Sequence, residues 1–278
     1  MIRGDLGPHD PYRLQDDWPN PGGATHEPNK NTAGKTLSTN SINDAERTAI
    51  VLAIGQSLIG NENDTTLHTP TNATKVDNLD VYTGQMWRGK DPWLGCAGVV
   101  GSWLGKFADA TINSGMFARV IIEPIGIGGR PPVDWNWSGR YNHRALIGLK
   151  RIRNLIGPEP GVNTFPMVFW MMQGATAESP VDGHVSTYAN YIQDFTQIHS
   201  LMAGLGIGWP WYVSRTTYVS GVTKADIRAA QSDVVNGTSI RAGPDTDTVT
   251  ARVDGVHFTA AGCTQVANLW HAAVDPYY

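Results

Sequence analysis

The sequence predicts an α/β fold, a three-layer α/β/α sandwich in which helices cover both faces of a mainly parallel sheet. Two observations lead there. Short apolar runs, "TAIVLAI", "ARVIIEPIG", "PMVFWMM" and "WPWYVS", have the length and composition of buried strands. Segments of helical period lie between them, and strands that alternate with helices imply parallel pairing, because each crossover lays a helix on the sheet. At 278 residues the chain is long enough to bury the core that such a domain needs.

Residues 1–46 are polar and broken by Pro8, Pro11, Pro19, Pro21 and Pro28, which reads as an arm or linker ahead of a domain spanning 47–278. The first strand is the run through residues 48–54, which passes directly into the small polar turn Gly55, Gln56, Ser57. One helix is expected over 141–156 through Leu149, Ile152, Leu155 and Ile156. A second spans 185–203, where Tyr188, Tyr191, Ile192, Phe195, Ile198 and Met202 recur at three- and four-residue steps. The last begins after Thr259, a good N-cap, with Val266, Leu269, Trp270 and Ala273 on one side.

Composition narrows the function. A net charge of −4 provides no basic surface for nucleic acid or an anionic membrane. No apolar run is long enough for a membrane span, and the N-terminus has no apolar core of a signal peptide. Cys96 and Cys263 stand far apart with no CxxC spacing, leaving one long-range disulfide as an open option. No HExxH or comparable histidine pair occurs, so neither a metal nor another cofactor is expected. "GIGIGG" loosely resembles a dinucleotide fingerprint, but "RPPVDWNW" is a poor start for the helix that a pyrophosphate requires.

In a sheet of this kind ligands bind beyond the carboxyl ends of the strands. Four loops gather there: "GQSLIGN", "GIGGRPPVDW", "QGATAES" and "DGVHFTAAG". A serine hydroxyl becomes a nucleophile only with a base in hydrogen-bond reach and a third group orienting that base. Ser57 sits at a strand-to-helix turn, and Asp254 and His257 lie three positions apart in one loop before a capped helix. Acyl transfer also requires donors for the tetrahedral oxyanion. The Ser57 backbone N–H, Gly128 or Gly129, and the Gln173 amide are the candidates.

Together these blocks resemble the SGNH (GDSL-like) hydrolases, in the branch similar to sialate O-acetylesterases and carbohydrate acetylesterases. The resemblance rests on GQS in "GQSLIGN", the paired glycines, acid and tryptophan of "IGGRPPVDW", Gln-Gly after the strand in "FWMMQGA", and Asp-x-x-His in "DGVHFTAAG". "AGPDTDTV" and the "IRAAQSDV" segment with Arg228 and Gln231 fit it too. It covers residues 47–275.

The resemblance implies a mainly parallel five-stranded sheet of flavodoxin-like layering and a serine esterase that removes acetyl groups from an oligo- or polysaccharide. Ser57 is then nucleophile, His257 base, Asp254 its orienter, and Gly128 or Gly129 with Gln173 the oxyanion donors. Gln56, Trp135 and Trp137 become substrate contacts, an indole face being suited to stacking on a sugar ring. An arm ahead of such a domain suits an extracellular or virion-borne glycan esterase. Two departures stand out: Leu58 occupies a position where the branch usually has Asn, and Ala175 one where it has Glu, the nearest acid being Glu178. Two other readings stay open, a lipase-like or thioesterase activity on the same fold, and a glycan-binding module without catalysis.

Overall fold

A computed structural model describes residues 28–42, 45–137, 139, 141–157, 159–173 and 186–278. Seven strands form one sheet: β1 (Thr48–Gly55), β2 (Val76–Leu79), β3 (Met86–Arg88), β4 (Arg119–Pro124), β5 (Thr164–Met171), β6 (Trp211–Arg215) and β7 (Ile240–Asp245). Their spatial order is β3-β2-β4-β1-β5-β6-β7. All neighbours pair in parallel except β2 with β3. The expected sandwich is present, with seven strands in place of five.

The helices are α1 (Leu104–Asn113), α2 (Asn142–Ile156), α3 (Tyr188–Gly204), α4 (Ala225–Asp233) and α5 (Ala260–Val274). β1 is buried along its whole length, and its period of two sorts the core into layers. Ala49, Val51 and Ala53 face the layer of α1 and α5, whereas Ile50, Leu52 and Ile54 face that of α2, α3 and α4. A strand buried on both faces must be apolar at every position, which explains the unbroken run in the sequence. Thr187 and Thr259 cap α3 and α5, accepting from the N–H groups of Asn190 and Gly262.

The first layer is built around Trp270 of α5, whose ring stacks on Phe169 at 4.2 Å and on Trp103 at 5.6 Å. All three are fully buried. Trp270→Ala is therefore expected to cost about 3–5 kcal/mol of unfolding free energy, measured by denaturant titration.

Part of the expected arm belongs to the domain. Ser38 donates to the Met86 carbonyl, Arg88 donates to the Thr36 carbonyl, and Leu37 bridges Trp87, so residues 36–38 lie along the β3 edge. The buried Asn29 side chain donates to the carbonyls of Pro92 and Trp93. Residues 1–27 lie outside the described residues. Cys96 and Cys263 are both free and buried, so no disulfide joins them. Burial pushes each thiol up to about 12. Ellman's reagent at about pH 8 should label neither in the native protein and both after denaturation, because the thiolate is the reacting form.

Candidate active site

With all but one pairing parallel, the carboxyl ends of β1, β4, β5, β6 and β7 share one edge of the sheet. β1 sits at the switch point, with β4 on one side and β5 on the other. The crevice beyond its end is where an open sheet of this kind takes ligands, and Ser57 lies there.

Gly55 ends β1 in contact with the neighbouring strand. A Cβ on it would stand 2.5 Å from the Met171 carbonyl oxygen, so no other residue fits. The chain then turns tightly, with Ile59 and Gly60 donating to the Gln56 carbonyl. Ser57 is 5% exposed on this turn. Leu58 is buried in the core, and Trp103 Nε1 donates to its carbonyl at 2.8 Å. Asn63 closes the turn: its Nδ2 donates to the carbonyls of Leu58 and Gly60, both at 3.1 Å.

Asn63 also reaches the far end of the chain. Its Oδ1 accepts from the Phe258 backbone N–H at 3.2 Å, which ties the serine turn to the loop bearing Asp254 and His257. In that loop Asp254 Oδ2 lies 2.7 Å from His257 Nδ1. Its Oδ1 accepts from the N–H groups of Val256 at 2.9 Å and His257 at 2.8 Å. Gly255 makes the bend possible with φ of +84°. Partial burial pushes the Asp254 carboxyl up, but the ring of His257 and the two backbone donors outweigh it and bring it down to about 2. An ionised Asp254 holds the proton on Nδ1 and leaves Nε2 as the basic nitrogen. Nε2 is buried and has no hydrogen-bond partner among the described residues. No hydrogen bond joins Ser57 Oγ to it among the described residues.

The second loop is pressed onto the first. Ile127 donates to the Gly55 carbonyl at 3.1 Å, and a Cβ at Gly126 would come within 2.9 Å of the Gln56 carbonyl oxygen. Gly128 and Gly129 follow in a turn. Gly129 has φ of +67° and faces open space. From the third block, Gln173 is buried against Gln56. Its Oε1 accepts from Gln56 Nε2 at 2.5 Å, its backbone N–H donates to Gln56 Oε1 at 3.2 Å, and its Nε2 donates to the Tyr218 carbonyl at 3.1 Å. A primary amide has two N–H groups, and among the described residues only one of them is engaged. Gly174, Ala175 and Glu178 lie outside the described residues.

Two expected substrate contacts are corrected. Gln56 is buried and both of its amide atoms are engaged with Gln173, so it braces the loop. Trp135 is fully buried in the α2–α3 layer and has no face to offer a sugar. Trp137 is 67% exposed, but lines a groove of about 730 Å³ with Thr196, Gln197, Ser200 and Leu201 of α3.

Sequence reasoning passed over Asn63, whose role as a clamp appears only when residues 195 positions apart meet. It also passed over Glu62, whose carboxyl is pushed up to about 7, chiefly by burial and then by the Asp254 charge. The α4 segment braces from behind. Gln231 Nε2 donates to the carbonyls of Met172 and Thr216, and Arg228 forks onto Asp245 and Asp247. Asp247 in turn accepts from the N–H groups of Thr217 and Tyr218. No group of three His, Cys, Asp or Glu side chains suited to a metal ion occurs among the described residues.

No family model matches the chain, and no curated protein matches it. Solved structures do. An Arabidopsis thaliana protein of 14% identity superposes with a TM-score of 0.62, over 84% of this chain and 99% of its own. A Parabacteroides merdae protein named as a GDSL-like lipase gives 0.53 at 12% identity, over 85% and 98%. NanS gives 0.53 at 14% identity, over 84% and 98%. At these identities the likeness is one of architecture: the chain shares the three-layer α/β/α fold of these three structures.

Proposed function

We propose that the protein is a carboxylic ester hydrolase that removes O-acetyl groups from a carbohydrate through a Ser57 acyl-enzyme. One observation carries the reading: the Asp254–His257 pair, closed at 2.7 Å, sits in a loop that Asn63 ties to the turn bearing Ser57. In the mechanism His257 Nε2 takes the Ser57 proton as Oγ attacks the acetyl carbonyl, then returns it to the sugar oxygen that leaves. Water repeats the sequence on the acetyl-enzyme, releasing acetate and restoring Ser57. The Ser57 N–H, Gly128 or Gly129, and the remaining N–H of Gln173 would receive the oxyanion. The carbohydrate acceptor rests on the motif resemblance.

The test is acetate release from p-nitrophenyl acetate and a panel of acetylated glycans, with longer acyl esters alongside. A fluorophosphonate probe, mapped by mass spectrometry, reports which serine is activated. Turnover of acetylated glycans with the adduct on Ser57 is the expected result. Preference for long acyl esters would move the assignment to a lipase-like activity. Glycan binding with neither turnover nor adduct would replace the enzyme by a binding module.

A further inference from the structure

We propose that Arg252 is a positioning residue that couples the base loop to the oxyanion amide. The inference rests on the esterase reading for its consequence and on a separate set of contacts for its geometry. Arg252 stands two residues before Asp254, and its guanidinium spends its donors on backbone carbonyls. Nε donates to Val249 at 2.8 Å, Nη2 to Thr246 at 2.8 Å and Nη1 to Val256 at 2.5 Å. Val256 is the residue directly before His257. The guanidinium carbon lies 3.9 Å from the centre of the Phe258 ring and 5.0 Å from that of Tyr218.

The contacts to Val256 and Phe258 and to Tyr218 lead to groups assigned to the reaction. The Arg252 backbone bridges Phe258, and Val253 donates to the His257 carbonyl at 2.7 Å, so the loop folds back on itself with His257 at its closing end. Withdrawing Nη1 would free the Val256 carbonyl and with it the setting of the imidazole. On the other side, Tyr218 packs its ring on Arg252 while its carbonyl accepts from Gln173 Nε2. Ser220 adds a second tie by donating to the Gly255 carbonyl at 2.8 Å. One cation thus connects the residue that orients Gln173 with the residue that precedes the base.

Arginine alone suits the position. Three carbonyls in different directions match its planar fork, and its faces accept aromatic rings. A lysine ammonium keeps the charge but gathers its donors on one nitrogen and loses the stacking. Partly withdrawing a cation from water onto three backbone carbonyls, with the Asp247 and Asp254 carboxylates acting on it, carries a desolvation cost consistent with a positioning role.

The test compares wild type with Arg252→Lys by steady-state kinetics on p-nitrophenyl acetate. The downfield proton resonance of the His257 Nδ1–H···Asp254 hydrogen bond is followed in parallel, assigned by its absence in Asp254→Asn. A folded Arg252→Lys protein should lose about 10- to 100-fold in kcat with KM unchanged, the scale expected of reacting groups displaced by an ångström or less. Its downfield resonance should shift or broaden. Wild-type kcat together with a wild-type resonance would overturn the proposal, and so would a loss of kcat with the resonance unmoved. If Arg252→Lys fails to fold, Tyr218→Leu, which removes one ring and keeps the backbone carbonyl, must show the same pattern or the coupling is refuted. Should wild type turn over no ester, a moved resonance would still uphold the strut while the esterase reading fell.

Discussion

Substitution of Ser57 by alanine is expected to lower kcat for acetate release by about 10⁶-fold, the scale on which removal of a serine nucleophile acts when base and nucleophile work as a unit. The residual rate would come from the oxyanion donors and substrate binding. The fold should survive the change. Among the described residues no hydrogen bond to the Ser57 side chain is present, so removing the hydroxyl leaves no buried partner unpaired. The turn is held by Gln56, Asn63 and Trp103, through contacts to backbone carbonyls that alanine preserves. Thermal unfolding should show a midpoint close to that of wild type alongside the lost activity. A folded Ser57→Ala protein that still releases acetate at a wild-type rate would place the nucleophile elsewhere.

Asp254→Asn should lower kcat by about 10⁴-fold with little effect on KM, because an amide favours the wrong tautomer of the base without moving it far. Geometry gives the reason. One carboxylate oxygen faces Nδ1 at 2.7 Å and the other accepts from two backbone N–H groups. An asparagine can keep the backbone contacts with its carbonyl oxygen, but then turns an N–H toward Nδ1 and reverses the direction of that hydrogen bond. The proton moves to Nε2, where the base has to be bare. Kinetics of the variant against the full pH range tests this, since restored activity at high pH would show a change in ionisation instead of tautomer.

The depressed pKa of Asp254 also predicts a pH effect on stability. Its folded value of about 2 lies below the unfolded value of about 3.9, so the pair contributes fully above the unfolded value. The contribution fades as pH falls through the folded value. The Asp254 side chain is 54% exposed, and solvent screening keeps the contribution small. The stability difference between wild type and Asp254→Asn should therefore be full above about pH 4 and fade between about pH 4 and pH 2, measured by denaturant titration across that range.

Much of the molecule follows directly from local pattern. The central strands are apolar runs because both faces of the sheet are covered, and α2, α3 and α5 show their buried faces as spacing. Thr259 announces the start of α5 through a capping hydroxyl. Asp254 and His257 were legible for the same reason, as a pair whose partner lies within one loop. The sheet edges were not. β2 reads "VDNL", with Asp77 and Asn78 fully buried. Arg119 of β4 at 2.6 Å and Arg88 of β3 at 3.2 Å pair with Asp77, and Asn78 exchanges hydrogen bonds with the Leu94 backbone, which together make such a sequence tolerable there. β7 contains Gly243 and Pro244, residues that weaken a strand unless it lies at an edge. β3 is three residues long and is paired by the Thr36–Ser38 segment, from a region whose composition suggested an arm.

By itself the sequence determined the layered α/β class, the central strands, three of the five helices among the described residues, and the proximity of Asp254 to His257. Each depends on residues within a few positions of one another, where periodicity, capping and loop geometry act. The tertiary structure alone decided that Trp135 is core, that Gln56 braces Gln173, that Asn63 joins the serine turn to the histidine loop, and that Arg252 meets Tyr218. Those contacts unite residues between 34 and 195 positions apart, and no local preference records which distant partner a buried polar group will meet.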